Sequence, residues 1–75
     1  MGDHLAPTGK NLRRYRLQHK YTQAEVAEKI GMSFRQYQRL EYGQSIPTWR
    51  VMQRLSLVLD AQPYEFWLDW EEVGA

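Results

Sequence analysis

Cysteine is absent from the 75-residue sequence, so neither a disulfide nor a thiolate metal site can hold the fold together, which fits a reducing cytoplasm. The two histidines, His4 and His19, stand alone in different segments, and no metal site is expected. No apolar run approaches the roughly 20 residues of a membrane-spanning helix, and the N-terminal residues lack the basic-then-apolar order of a secretion signal. Export and membrane insertion are therefore not expected. There is no glycine-rich phosphate loop and no arrangement of Ser, His and Asp suited to nucleophilic catalysis. Asp69, Glu71 and Glu72 read as an acidic tail rather than as paired catalytic carboxylates. The chain is expected to be no enzyme and to need no cofactor. Bases are missing beyond Arg54: residues 55–75 hold five acids and carry −5, whereas residues 1–54 hold all ten bases and carry +6. Such a division can turn a basic face toward a polyanion and an acidic end away from it.

The length allows a single domain, close to the size at which one hydrophobic core becomes marginal. Three Trp and five Tyr supply bulk that offsets the small size.

The chain is organised around residues 22–43, TQAEVAEKIGMSFRQYQRLEYG. Thr22 is suited to cap a helix and Glu25 to complete a capping box. Val26, Ala27 and Ile30 recur at helical spacing, and Gly31 can enter the left-handed conformation that turns the chain sharply, with Met32 plugging the corner. Ser33 is a second N-cap. Tyr37 and Leu40, with Phe34 as a further candidate, form the apolar stripe of a second helix that Gly43 stops. The face left outside carries Arg35, Gln36, Gln38 and Arg39. Arginine can pair two donors with guanine, and glutamine can both donate and accept at adenine, so this face suits base edges.

Around this unit the pattern predicts a helix from Thr8 to Gln18 or His19 with Leu12 and Tyr15 inward and Leu17 partly so. Tyr21 is expected in the core. A helix capped by Thr48 carries the stripe Trp49, Met52, Leu55, Ser56 and Leu59, with Val51 and Val58 half exposed and Arg50 and Arg54 facing solvent, or else phosphate. Pro63 suits the first position of a fifth helix through YEFWLDWEEV. That segment has apolar residues on too many sides for one buried face.

The motifs TQAEVAEKIGMS, QRLEYG and PTW, spread over about Leu12 to Trp67, resemble the helix-turn-helix of the Cro and repressor family of bacterial and phage transcription regulators. The resemblance implies an all-α, five-helix, lambda-repressor-like fold at residues 8–70, after a loose arm at 1–7 and before an acidic tail at 71–75. It implies base contacts by Phe34, Arg35, Gln36, Gln38 and Arg39, with Phe34 either packing on a thymine methyl or finishing the core. Phosphate contacts fall on Gln23, Ser33, Tyr42, Gln44 and Ser45, and Arg16 with Glu41 becomes a structural ion pair. Lys20 and Asp60 stand where the family commonly has glycine, and Tyr42 where it often has asparagine. The implied partners are a double-stranded DNA operator and a second copy of the chain, at least on DNA. Tyr64, Leu68 and Trp70 are the candidate dimer or partner surface, and the expected role is a cytoplasmic regulator of transcription, more commonly a repressor. A different reading keeps the fold but drops DNA: an antitoxin-like module that binds a partner protein through the aromatic C-terminal end.

Overall fold

A computed structural model describes residues 7–67, apart from the side chains of Pro7 and Trp67. Four α-helices follow one another: α1 (Pro7–Gln18), α2 (Gln23–Lys29), α3 (Phe34–Glu41) and α4 (Trp49–Leu59), then a 3₁₀ helix (Pro63–Trp67). No strand occurs among the described residues.

Local signals set the helix ends. Thr22 and Ser33 each form a reciprocal capping box, with Glu25 and Gln36 respectively, which satisfies donors that a bare helix start would leave open. Thr48 caps α4 by accepting the Val51 N–H. Gly31 and Gly43 take positive φ at the ends of α2 and α3. Lys20 and Asp60 do the same at the ends of α1 and α4 with φ of 59° and 52°, at about 1 kcal/mol each for a residue with a Cβ. The α2 end has a further cap: Nη1 of Arg54 donates to the Ile30 carbonyl at 3.0 Å, placing a cation at the negative end of the helix. Arg54 is exposed, as expected, and takes on this capping role as well.

Every element contributes to one core, made of Leu12, Val26, Ala27, Ile30, Tyr37, Leu40, Met52, Leu55, Leu59 and Phe66. Tyr15, Tyr21, Met32, Val51 and Val58 pack around it. Two expectations change here. Trp49 is 67% exposed, because the buried arc of α4 runs along Met52, Leu55 and Leu59 and leans toward Val51 and Val58, leaving Trp49 on the opposite flank. Leu17 is 50% exposed, on the side of α1 away from the core.

The start of the expected fifth helix is the other correction: Pro63–Trp67 is a 3₁₀ helix rather than an α-helical turn, and the rest of the expected helix lies outside the described residues. The Glu65 carboxylate accepts the Gln62 N–H, and the Asn11 side chain donates to the Phe66 carbonyl at 2.7 Å. That bond ties the 3₁₀ segment to α1. The Tyr15 hydroxyl adds a 2.9 Å bond to Glu65. Burial, reinforced by that bond and by the charge of Glu65, pushes Tyr15 up to about 12.

At Gly9 the first turn of α1 meets the end of α3. A Cβ there would lie 2.5 Å from the Glu41 carbonyl oxygen and 2.9 Å from both the Gly43 nitrogen and the Leu40 oxygen. All three are backbone atoms, which cannot swing aside as a side chain can. We expect Gly9→Ala to lose about 1–3 kcal/mol of stability in urea denaturation, despite the roughly 1 kcal/mol that alanine gains in a helix. A more stable variant would contradict this close approach.

Candidate nucleic-acid interface

The helix pair α2 and α3 crosses at Gly31, whose positive φ lets Met32 N–H return to the Ala27 carbonyl at 2.9 Å. Ala27 and Val26 on one helix and Tyr37 and Leu40 on the other are buried. The opposite side of α3 is left to solvent.

A polar chain behind α3 fixes that exposed side. Arg16 grips Glu41 with two bonds, Nε to Oε2 at 2.7 Å and Nη2 to Oε1 at 2.9 Å, in the fork geometry that makes such pairs strong and directional. A third donor, Nη1, bonds the Tyr21 carbonyl at 2.9 Å. Glu41 also accepts from the Gln23 side-chain amide at 3.0 Å, and Gln23 in turn accepts from Gln38 at 3.3 Å. Thus α1, α2 and α3 are joined by one run of hydrogen bonds. The side chains of Arg16 and Glu41 are only 10% and 1% exposed. Burial alone would raise the Glu41 carboxyl, but bonds from Arg16 and Gln23 outweigh it and hold the group below its usual range. Arg16 is pushed above its usual value, chiefly by its bonds to Glu41. The Tyr37 hydroxyl lies near the same carboxylate and is itself raised by burial, yet it makes no hydrogen bond of good geometry.

The expected site residues fall into two groups. Ser33, Phe34, Arg35, Gln36, Arg39, Tyr42, Gln44 and Ser45 are exposed along α3, its cap and the following loop. Arg35 and Arg39, one turn apart, have no ion-pair partner among the described residues. Phe34 is 49% exposed, so it does not finish the core. Gln36 already lends its amide oxygen to the Ser33 N–H at 3.2 Å, which leaves its NH₂ group to face outward. The second group is Gln23 and Gln38, which are partly buried and turned toward each other. Of the candidate interface, Tyr64 is exposed, while Leu68 and Trp70 lie outside the described residues.

A second exposed feature was not anticipated from the sequence. Trp49, Gln53 and Leu57, spaced four apart on α4, line a depression of about 470 Å³ with Ser56 and Pro63. Leu57 is 83% exposed, and the four-residue spacing was the available signal.

No described helix is long and apolar enough to cross a membrane, and no group of acids and histidines among the described residues could hold a metal ion.

Set against known proteins, this geometry has a clear kinship. The sequence pattern of the helix-turn-helix family HTH_3 matches residues 12–66, and the chain belongs to that family, whose members are of the Cro and repressor type. It is therefore a DNA-binding regulatory protein and not an enzyme. Among solved structures it is similar to the restriction-modification controller protein C.AhdI from Aeromonas hydrophila, with a TM-score of 0.77 and 25% identity over 85% of this chain and 97% of that one. No curated protein sequence matches at a significant level.

Proposed function

We propose that the protein is a small transcriptional regulator, most simply a cytoplasmic repressor, that reads one operator sequence by laying α3 in the major groove of duplex DNA. The observation that carries this reading is an outward face of α3 bearing Arg35 and Arg39 one turn apart while its inner side is bonded through Gln38, Gln23, Glu41 and Arg16 to two other helices. A reading helix needs that rigidity, because bidentate contacts with base edges tolerate little misplacement. Arg35, Arg39 and the outward NH₂ of Gln36 are the base-reading groups, with Phe34 set to pack on a thymine methyl. Ser33, Tyr42, Gln44 and Ser45 contact phosphates and fix register. Gln23 braces the reading helix through its two amide bonds and touches the backbone at the start of α2, where the positive helix end favours a phosphate.

Two copies would bind an inverted repeat, each α3 occupying one half-site. Trp49, Leu57 and Tyr64 offer the apolar surface for that pairing, since exposed apolar clusters of this kind mark interfaces. The same surface supports the second reading, in which a partner protein binds there and DNA is not read.

Titration of duplex affinity against salt separates the two. A DNA reader should lose affinity on a log–log slope of about 0.9 for each phosphate contacted. A flat dependence with no duplex binding would favour the partner-binding module.

A further inference from the structure

We propose that hydrogen bonds inside the protein fix the two glutamines of α3 with opposite polarity, so that Gln36 selects guanine and Gln38 selects adenine; the assignment of bases rests on α3 being the DNA-reading helix. A glutamine amide carries an acceptor at one end and two N–H donors at the other, and a free one turns to suit its partner. Neither amide is free here. At about 100° of helix per residue, Gln36 and Gln38 lie on opposite flanks of the ridge formed by Arg35 and Arg39. Each is oriented by a different partner.

Gln36 is oriented by the cap of α3. The Ser33 N–H can only donate, so the end of the amide that meets it at 3.2 Å is Oε1, and the Gln36 backbone N–H returns a bond to Ser33 Oγ at 3.1 Å. Turning the amide over would set two donors against each other and leave an N–H at the helix start without a partner. Both side-chain N–H groups therefore point outward. Two donors match the O6 and N7 acceptors of guanine, whereas adenine would set its own amine against one of them.

Gln38 is oriented from the buried end. The Glu41 carboxylate, held ionised by Arg16, only accepts, so Gln23 must turn its NH₂ toward it, at 3.0 Å. The Gln23 oxygen is then directed at α3, and Gln38 meets it with an N–H at 3.3 Å. What Gln38 has left is its oxygen and one N–H, the combination that complements the N6 amine and N7 of adenine. Its side chain is only half-buried, which leaves room for that second partner. The Arg16 and Glu41 pair thus sets a preference for a base that neither residue touches, with Gln23 as the positioning residue between them and Gln38.

The test is selection from a random duplex pool by the intact chain, comparing wild type with Gln36→Glu and Gln23→Lys. Gln36→Glu keeps an oxygen for the Ser33 N–H but has no outward donor. Gln23→Lys still donates to Glu41 but offers Gln38 no acceptor, so Gln38 must turn its oxygen inward and both N–H groups outward. In wild type, the base pair that responds to Gln36→Glu should carry guanine, and the pair that responds to Gln23→Lys should carry adenine. The first change should abolish the guanine preference, a loss of roughly 5- to 150-fold in discrimination, and the second should replace adenine by guanine at that one pair. Adenine at the first pair or guanine at the second in wild type would overturn the polarity. Weaker binding by Gln23→Lys with every preferred base unchanged would reduce Gln23 to a brace and overturn its control of Gln38. No enrichment by wild type would overturn the DNA-reading function and the base assignments with it. Side-chain amide NMR without DNA tests the internal polarity by itself: the Gln38 NH₂ resonances should move in Gln23→Lys while those of Gln36 stay in place. Unmoved Gln38 resonances would overturn the link through Gln23 whatever the protein binds.

Discussion

Replacing Glu41 with alanine should cost about 3–5 kcal/mol of stability, because it leaves the Arg16 guanidinium buried with no carboxylate. Arg16 keeps only its bond to the Tyr21 carbonyl, and Gln23 loses the acceptor that holds it against α3. For a domain whose whole stability is in the range of about 5–15 kcal/mol, a loss of this size brings the folded state close to its limit. Replacing both partners at once, Arg16→Met with Glu41→Leu, should cost much less, since no uncompensated charge is left in the core. Urea denaturation of the three variants checks both expectations. A Glu41→Ala loss below about 1 kcal/mol would show that the pair does not hold the helices together.

The same carboxylate gives the pair a pH signature. Its folded-state pKa lies below the ordinary value, and an unfolded glutamate titrates near about 4.3. Its contribution is therefore complete above the unfolded value and is lost as pH falls through the folded one. The stability advantage of wild type over Glu41→Gln should be constant near neutrality and shrink as the solution is acidified below about pH 4.

The second large effect concerns recognition. Arg35→Ala with Arg39→Ala should reduce affinity for the operator by about 2–6 kcal/mol, since each bidentate pairing of an arginine with a base is worth about 1–3. That corresponds to roughly thirtyfold at the low end and beyond ten-thousandfold at the high end. Both side chains are exposed and have no ion-pair partner among the described residues, so stability should change by less than about 0.5 kcal/mol. Affinity for arbitrary duplexes should fall far less, through the removal of about two charges. Equal losses on operator and arbitrary DNA would assign the two arginines to phosphates rather than bases.

What could be read from the sequence was what short-range chemistry decides. The capping residues Thr22 and Ser33, the left-handed turns at Gly31 and Gly43 and the apolar spacing of Val26, Ala27, Ile30, Tyr37 and Leu40 are all set within a few residues. They sufficed to locate the helix-turn-helix and the all-α class. The Arg16 and Glu41 pair came from family resemblance, since nothing in the spacing of residues 25 apart announces a contact.

The misses share a long-range cause. Asn11 and Phe66 are 55 positions apart, and their bond ties the 3₁₀ segment to α1. Arg54, though exposed, also caps α2 from 24 positions away, a role its local sequence did not announce. The exposure of Trp49 depends on how α4 is rotated against its neighbours, and a stripe drawn through Trp49 and Ser56 fits the sequence nearly as well as one drawn through Val51 and Val58. Within the candidate site, the exposure of Arg35 and Arg39 followed the helical period, whereas the inward turn of Gln38 depends on meeting Gln23 from another helix.

The most direct measurement is selection of duplexes from a random pool by the intact chain, followed by sequencing of what is retained. If α3 reads DNA, the pool should yield an enriched inverted repeat whose half-sites are about one helical turn apart, roughly 10–10.5 base pairs centre to centre, or a multiple of that spacing, and the Arg35→Ala, Arg39→Ala variant should lose the enrichment. Retention without sequence preference, or no retention at all, would contradict α3 as a reader of DNA.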